Sequence, residues 1–536
     1  MLTCLKGGRI IDPANGRDGI GDLWMRDGRI VEAPAGGRAD ETHDVTGKIV
    51  MAGAIDIHSH IAGTNVNTAR LMLPERRATA PQSAGFTAFE TGCRYAGMGF
   101  TTVVEPAVAP HDALHAHLEL ADIPIIDKAI LVVLGNDDPL LGMMRAKDSA
   151  SAVRDYVAWT LDASQALGIK VINAGGAAAF KSNVRAFGLD DVVPFYGVTS
   201  RAIVKALQHA VHDLGVPHPL HVHCNNLGMA GNADTALATI AAAEGVPLHL
   251  AHLQFYGYGK EGGRGFSSAA AQLAQAVNRT KDVTIDVGQV MFGDTVTVSS
   301  DVLLQFNART RANPKKWLIR DGDSNGGGVV PVRYRADSFH NAVQWAIGLE
   351  LFLLIDDPWR VFFTTDHPNG APFTAYPDLF ALLMSRELRA QWIADLPPDA
   401  MEVTTLPSIS REYALAEIAT MTRAAPAKLL GLKDRGHLAP GAVADIAVYT
   451  EQADKAAMFR NAALVFKDGE AVVRDGQVTT IRWGRALHVR PDHDRAIDRR
   501  MTAYYDARYG LSPDVIRMPA SAIARPDPFS LVPCAR

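Results

Sequence analysis

The sequence predicts an α/β protein in which a TIM-like (β/α)8 barrel carries a small β domain, and three observations support this fold class. Between about residues 50 and 430, short apolar strands alternate with Ala-rich helical stretches, which is typical of parallel sheets with helical crossovers. Eight strands can be counted there, the number that closes a barrel. Both chain ends instead show short β segments separated by turns. A doubly wound open sheet is the runner-up, but no GxGxxG fingerprint follows a strand.

Both ends of the chain show short strand-like segments separated by turns. The first 50 residues contain strand-like segments, and Asp27-Gly28 between two of them is a hairpin signal. Strand-like segments return after the barrel region, for example at 444–449 and 470–478. We therefore expect residues 1–50 and 432–484 to pair as one small β-sandwich domain.

We expect the barrel to occupy residues 51–431. Its predicted strands are 49–60, 101–105, 129–134, 169–173, 220–224, 248–252, 283–287 and 361–365. Helical patterns lie between most of them, at 153–167, 200–214 and 233–244.

Two further regions lie outside the regular alternation. Residues 290–345 form a long, Gly-rich and irregular insertion; such insertions at a barrel mouth shape a substrate pocket or a partner surface, and a flexible surface insertion is an equal alternative. The tail at 485–536 is rich in Arg, Asp and Pro, and we expect it to cover a surface or contact a partner.

The composition excludes several classes of protein. Hydrophobic residues make up 48% and charged residues 21%, as in ordinary globular proteins. With 53 basic against 58 acidic residues and no Lys/Arg run, a nucleic-acid partner is not expected. The four cysteines are scattered and form no CxxC pair, which argues against an Fe–S cluster, a zinc ribbon or a disulfide framework.

The same features indicate where the protein works. We expect no signal peptide and no membrane anchor, because the first residues lack a charged segment followed by an apolar one and no span approaches about 20 apolar residues. The cysteine usage fits a reducing compartment, so a cytoplasmic location is expected.

Metal-competent residues recur at the ends of the predicted strands. In a strand, side chains alternate between faces, so His58 and His60 share one face, and imidazole is a common transition-metal ligand. The reacting groups of a barrel gather at the carboxyl ends of its strands. The residues that recur at such ends or within a strand are His58, His60, Lys170, His221, His223, His252 and Asp366.

Lys170, in the fourth predicted strand, is the unusual member of this set. A buried ammonium is costly and its pKa falls. A neutral amine can add CO2 and become a carbamate, which is a carboxylate able to bridge two cations. Lys181 is the alternative, but it falls in the loop beyond the strand, and this placement favours Lys170. His221 and His223 share a strand face, so the residues leave the choice between them open.

The sequence resembles the amidohydrolase superfamily in the His58/His60 pair, the strand-four lysine, the later histidines and Asp366, and in segment 434–445. More narrowly it resembles the family formed by the A subunits of formylmethanofuran dehydrogenases. The motifs that carry this likeness are KVINAGG at 170–176, LHVHCNNLG at 220–228, AHLQFYG at 251–257 and TTDHPNG at 364–370. The likeness covers about residues 1–480, and the family includes the A subunits of bacterial formyltransferase/hydrolase complexes.

The resemblance implies a binuclear centre of two divalent metal ions, usually zinc. His58 and His60 would bind one ion and His223 and His252 the other. Lys170, as N6-carboxylysine, would bridge them, and Asp366 would complete the site and act as the catalytic base and then acid. His223 is preferred because the family's histidine stands before the Cys-Asn-Asn segment. The expected substrate contacts are Asn225, Asn226 and His367.

The implied activity is metal-dependent hydrolysis of an N-formyl amide, formylmethanofuran or a close analogue, to formate and the free amine. The protein would be the A subunit of a formyltransferase/hydrolase complex in one-carbon metabolism, with a methanofuran-type carrier as substrate and the other subunits as partners. The Ala- and Arg-rich composition favours the bacterial complex. The alternatives are the reverse condensation within a formylmethanofuran dehydrogenase, a cyclic amidase such as a dihydroorotase or hydantoinase, and a non-catalytic scaffold.

Overall fold

A curled parallel sheet forms the centre of the protein. The computed structural model describes residues 1–72, 86–322 and 326–535. Within these ranges eight strands pair side by side in chain order, and we number them 1 to 8: Ala54–Asp56, Phe100–Val108, Asp127–Leu134, Gly168–Ile172, Leu220–His223, Leu248–Leu250, Val283–Asp286 and Val361–Phe362. The segments after strands 1 and 8 meet at the parallel bridge Ser59–His367. The predicted fold class is confirmed.

Helices connect most of these strands and cover the outside of the sheet. The described helices of the barrel region are Thr64–Met72, Ala88–Gly97, Ala113–Ala121, Asp138–Arg145, Ala150–Ser164, Gly176–Lys181, Ser200–Asp213, Ala233–Ala241, Ala270–Arg279, Phe339–Leu354, Tyr376–Met384, Arg386–Ala394, Pro398–Met401, Leu415–Ala419 and Ala425–Leu429. Ser149 and Thr199 begin two of them, because each side-chain oxygen accepts a backbone N–H of the first turn. All eight residues of strand 3 are buried, as expected for a strand covered on both faces.

The second sheet joins the two ends of the chain. Among the described residues it contains nine strands: Leu2–Asp12, Arg17–Arg26, Arg29–Val31, Glu41–Asp44, Lys48–Ala52, Ile446–Thr450, Leu464–Lys467, Glu470–Arg474 and Gln477–Val478. Lys48–Ala52 pairs antiparallel with Ile446–Thr450, and this ladder unites the two halves. The short helix Lys455–Arg460 lies between two of the strands.

The prediction of one strand at 49–60 is wrong, because two strands occupy this stretch. Lys48–Ala52 belongs to the small sheet and Ala54–Asp56 is barrel strand 1. Gly53 separates them, and a Cβ placed there would lie 2.2 Å from the Thr101 hydroxyl. The chain crosses from one sheet to the other at a position where only glycine fits.

The insertion predicted at 290–345 is not irregular in its described part, because regular strands and a helix form there. Gly293–Ser299, Leu318–Asp321 and Gly326–Tyr334 form an antiparallel sheet, which we call the excursion sheet, and helix Val302–Ala308 packs on it. In the glycine-rich run at 321–328, residues 323–325 lie outside the described residues. Its glycines permit close packing: a Cβ on Gly328 would lie 2.7 Å from the Leu318 carbonyl oxygen and 2.9 Å from a side-chain carbon of the helix.

The tail at 485–536 adds two strands to the barrel sheet. We expected it to cover a surface or contact a partner, and the strands were not predicted. Ala486–His488 pairs in parallel with strand 3, with Leu487 opposite Ala129, and with Phe529–Leu531 on its other side. Leu487 is fully buried, and helix Ala496–Tyr509 packs on helix Ala150–Ser164. None of the helices in the described ranges is both long and apolar enough to cross a bilayer.

Candidate metal centre

The carboxyl ends of the barrel strands bring the metal-competent residues together. His58 and His60 follow strand 1, Lys170 lies in strand 4, His223 ends strand 5, His252 follows strand 6 and Asp366 follows strand 8. All six are buried. His252 and Asp366 have φ values of 35° and 52°, so the backbone turns at both positions through the left-handed region that costs energy for non-glycine residues.

A cavity of about 750 Å³ opens over these residues. Its floor includes His60, Lys170, His223, His252 and Asp366. Ser299, Ser300 and side chains of helix Val302–Ala308 contribute to its wall. The insertion at 290–345 therefore covers one side of the cavity. The space is large enough for a small organic molecule.

Asp366 lies between the two histidines that follow strand 1. Its Oδ1 atom is 3.0 Å from His58 Nε2 and 3.3 Å from His60 Nε2. The opposite ring nitrogens contact buried carboxylates, with His58 Nδ1 2.9 Å from Asp286 and His60 Nδ1 3.0 Å from Glu105. Because those carboxylates accept hydrogen bonds from Nδ1–H, neutral imidazoles would direct both Nε2 lone pairs towards Asp366 Oδ1.

This arrangement fits a cation. Lone pairs that face a carboxylate oxygen repel it unless a positive charge lies among them. Burial lowers the pKa of His60, but Glu105 and Asp366 outweigh burial and raise it to about 9. These carboxylates therefore favour a positive charge at this point, which either a proton on His60 or a metal ion supplies. Ligand atoms of His58, His252 and Asp366 lie within 4.8 Å of one another, and in the described part of the chain His252 Nδ1 is buried without a hydrogen-bond partner. Nitrogen and carboxylate donors of this kind suit zinc and similar ions.

Of the two candidate lysines, the structure brings Lys170 to the cluster. Its Nζ atom is 3.2 Å from His58 Nε2, and burial lowers its pKa to about 8 despite the nearby carboxylates. Lys181 ends helix Gly176–Lys181, with about a third of its side chain exposed and its Nζ 3.9 Å from Asp321.

His221 and His223 lie at different depths. His223 lines the cavity, and its ring centroid is 4.7 Å from that of His252. His221 lies below, with Nε2 3.0 Å from His58 Nδ1 and Nδ1 3.0 Å from His218 Nε2. Burial lowers the pKa of His221 well below its ordinary value, so this ring is neutral inside the barrel.

The three expected substrate contacts are not among the residues that line the cavity. Asn225 donates to Asn173 Oδ1 at 2.8 Å, and Asn226 accepts the Phe187 N–H at 3.0 Å. His367 Nδ1 accepts the Phe373 N–H at 3.2 Å, and burial lowers the pKa of His367 to about 3. In this structure these side chains hold loops together instead of facing the cavity.

Sequence reasoning missed four polar residues that contact the cluster. Glu105 and Asp286 lie at the carboxyl ends of strands that were predicted, so the rule that found the histidines could have found them. Asp301, whose Oδ2 is 3.1 Å from His223 Nε2, and Asn369, which donates to Asp366, come from loops with no such signal.

Comparisons with known proteins show to which family the chain belongs. A sequence profile of the amidohydrolase family matches residues 41–480. The chain is 50% identical over 97% of both sequences to the A subunit of the formyltransferase/hydrolase complex Fhc of Methylorubrum extorquens. It is 39% identical over 91% of both sequences to protein FwdA of Methanocaldococcus jannaschii.

Solved structures extend the comparison. The crystal structure of the Methylorubrum extorquens formyltransferase/hydrolase complex FhcABCD with methylofuran contains a chain with a TM-score of 0.97 and 49% identity, and the match covers all of both chains. N-acyl-D-glutamate deacylase from Bordetella bronchiseptica shares the fold, with a TM-score of 0.51 and 19% identity, over 89% of this chain and 98% of that one. The chain therefore belongs to the amidohydrolase family, within the group formed by the A subunits of formylmethanofuran dehydrogenases and of their formyltransferase/hydrolase counterparts.

Proposed function

We propose that this protein hydrolyses the formyl amide of a methylofuran-type amine carrier to formate and the free amine, as the A subunit of a formyltransferase/hydrolase complex. The observation that carries the proposal is the convergence of His58, His60, Lys170, His252 and Asp366 at one buried point beside a cavity. The near-complete match to the A subunit of Fhc, and to a structure that contains methylofuran, supports the choice of substrate and partners.

The proposed centre holds two divalent ions, zinc being the expected metal. His58 and His60 would hold one ion and His223 and His252 the other, with carboxylated Lys170 between them and Asp366 completing the set. The lowered pKa of Lys170 supports this role, since only the neutral amine adds CO2. When bound, such ions supply Lewis-acid polarisation of the amide carbonyl and lower the pKa of water.

Asp366 carries the proton in the proposed reaction. Burial raises the pKa of its carboxyl group, but His58 and His252 outweigh burial and hold the pKa well below its usual range, so the carboxylate is ionised. It accepts a proton from the water that attacks the formyl carbon and donates it to the amide nitrogen as the C–N bond breaks. The balance is R-NH-CHO plus water to R-NH2 plus formic acid, which ionises to formate.

Buried carboxylates orient the proposed histidine ligands. Asp286 and Glu105 hold the Nδ1 sides of His58 and His60, so the Nε2 atoms face the centre. Asp301, which precedes helix Val302–Ala308 of the insertion, contacts His223. Groups of this kind fix the orientation and tautomer of a histidine ligand, and their loss weakens metal binding.

The test combines metal analysis with product detection. The purified protein, reconstituted with zinc and bicarbonate, should hold about two zinc ions per chain and release formate from formylated methylofuran, and chelation should abolish release. His223→Asn should lose one ion, whereas His221→Asn, the matched variant two residues away, should keep both and bind them more weakly, because His221 contacts Nδ1 of the proposed ligand His58. Turnover of only cyclic ureides would point to a cyclic amidase. A protein without bound metal or formate release would be a scaffold.

A further inference from the structure

Asn369 lies in the turn after strand 8 and bonds to the proposed proton carrier. Its side-chain Nδ2 donates to Asp366 Oδ1 at 3.0 Å, and its backbone N–H donates to the Asp366 carbonyl at 2.6 Å. Asn369 is buried, with 8% of its surface exposed, and it lines the same cavity. Nothing in the predicted ligand set required an asparagine at this place.

The orientation of the Asn369 amide is determined by a third group. The backbone N–H of Val298 lies 2.7 Å from Asn369 Oδ1. A backbone N–H can only donate, so the atom that it meets must be the amide oxygen. The amide nitrogen therefore faces Asp366, and the bond to the carboxylate is an N–H donation.

The excursion sheet holds this turn from outside. Val298 belongs to its strand Gly293–Ser299, and Tyr334, from its strand Gly326–Tyr334, donates its hydroxyl to the Asn369 carbonyl at 3.1 Å. The Thr295 hydroxyl of the same sheet donates to the Pro368 carbonyl. Asp366 itself has a left-handed backbone, which persists only when its surroundings impose it.

We propose that Asn369 is a positioning residue that sets the rotation of the Asp366 carboxylate, and that the excursion sheet fixes Asn369 in turn. The histidine Nε2 atoms cannot do this when their lone pairs are committed to a cation. Among the described residues, Asn369 is the neutral side chain that donates an N–H to Asp366 Oδ1. This inference rests on the proposed function for its catalytic consequence, because it acts through the proton transfer by Asp366.

The test is Asn369→Ala in the full-length zinc protein. Formate release should show kcat lower by about 100-fold with KM within about threefold, because a carboxylate that is free to rotate lowers the rate of the chemical step more than substrate binding. Metal content should stay near two ions per chain. Asn369→Gln, which keeps an amide of the same chemistry, should recover part of the lost kcat.

Asn136→Ala is the matched control. Asn136 has the same 8% exposure, and its amide likewise donates and accepts: it donates to the Ile172 carbonyl at 2.7 Å and to the Asn173 carbonyl at 3.5 Å, and it accepts the Ala177 N–H. None of these bonds involves Asp366. The Asn136→Ala variant should lower the midpoint of thermal unfolding to a similar extent as Asn369→Ala and leave kcat unchanged. Equal kcat values for the two variants, after correction for folded fraction, would overturn the positioning role.

A second readout separates this inference from the proposed function. In cobalt-substituted protein, the visible absorption bands should change in Asn369→Ala and not in Asn136→Ala, because the carboxylate beside the ions has turned. If the wild-type protein releases no formate and the bands still change, the proposed substrate is wrong and the positioning role stands. Unchanged bands, or the loss of an ion in Asn369→Ala, would refute the positioning role of Asn369.

If the alanine variant does not fold, Asn369→Gln replaces it in the test. We expect this variant to lose about tenfold in kcat and to show a smaller band shift.

Discussion

Two clusters of buried charge lie at opposite ends of the barrel, and each contains a buried lysine. At the carboxyl ends of the strands, Lys170 lies beside a histidine nitrogen. At the amino ends, Lys467 from the small sheet contacts Asp127, the first residue of strand 3, at 2.8 Å and Asp445 at 2.7 Å. Arg435 contacts the same Asp127 oxygen at 3.1 Å.

The two lysines are equally buried and differ in their partners. Burial lowers the pKa of both side chains. For Lys467 the carboxylates of Asp127 and Asp445 outweigh burial and raise the pKa above its ordinary value, whereas for Lys170 burial prevails and the pKa falls to about 8. Lys467 therefore stays charged and links the two sheets through its two carboxylates, whereas Lys170 is closer to the neutral amine that adds CO2.

The largest effect should come from Lys170→Ala. Removing the amine removes the proposed bridge, so at least one metal ion should be lost and formate release should fall by about 1,000-fold or more. Elemental mass spectrometry and a formate assay measure both. Lys181→Ala is the control and should leave both values unchanged; full activity of Lys170→Ala would transfer the bridging role to Lys181.

Asp366→Asn should come next. The amide has the same shape but cannot take up a proton, so turnover should fall by about 100- to 10,000-fold while most of the metal stays bound. Metal content and kcat are measured on the same preparation. Retained turnover in this variant would remove Asp366 from the proton transfer.

Lys467→Met should affect stability and not chemistry. It leaves Asp127 and Asp445 without their shared cation, so the free energy of unfolding should fall by about 3–5 kcal/mol, with metal content and kcat of the folded protein unchanged. Urea denaturation measures the loss. Lys205→Met, which breaks the exposed pair with Glu244, should cost at most about 1 kcal/mol. Similar losses in both variants would contradict the comparison.

The smallest expected effect is that of pH on this stability difference. Burial opposes ionisation of Asp127, but Lys467 and Arg435 hold its pKa below the ordinary value, so its contribution is present above about pH 4 and is lost as pH falls further. The raised pKa of Lys467 means that its contribution is complete below about pH 10 and is lost at higher pH. Burial raises the pKa of Asp445 even though Lys467 opposes this rise, and Lys467→Met removes that opposition. The folded variant should therefore take up a proton on its buried carboxylates as pH falls, so the stability difference from wild type should shrink from about pH 9 to about pH 5, as urea titrations at several pH values would show. A difference that grows as pH falls would contradict this account of the pair.

The barrel and most of the predicted cluster could be inferred from the sequence because both follow local rules. Apolar runs of strand length revealed the strands, and the carboxyl-end rule then selected His58, His252 and Asp366 without any knowledge of distances. Glu105 and Asp286 obey the same rule, but a pattern of histidine and lysine ligands does not point to them.

The remaining features depend on contacts between distant segments. A continuous apolar run hides the transfer of the chain between two sheets at Gly53, because both strands are apolar. Glycines in the excursion predicted flexibility, yet at Gly328 the missing side chain makes room for a neighbouring strand and helix. Asn369 gains its role from Val298, some 70 residues away in sequence, so no local pattern could reveal it.

The pairing of Leu487 with Ala129 has a consequence for how the chain folds during its synthesis. The two residues are separated by about 350 positions in the chain. At about 5–20 residues added per second, strand 3 waits roughly 20–70 s on the ribosome before its neighbour from the tail exists. The part of the strand 3 edge that this neighbour covers is open during synthesis, so it is a place where a nascent chain of this protein can bind chaperones or pair wrongly.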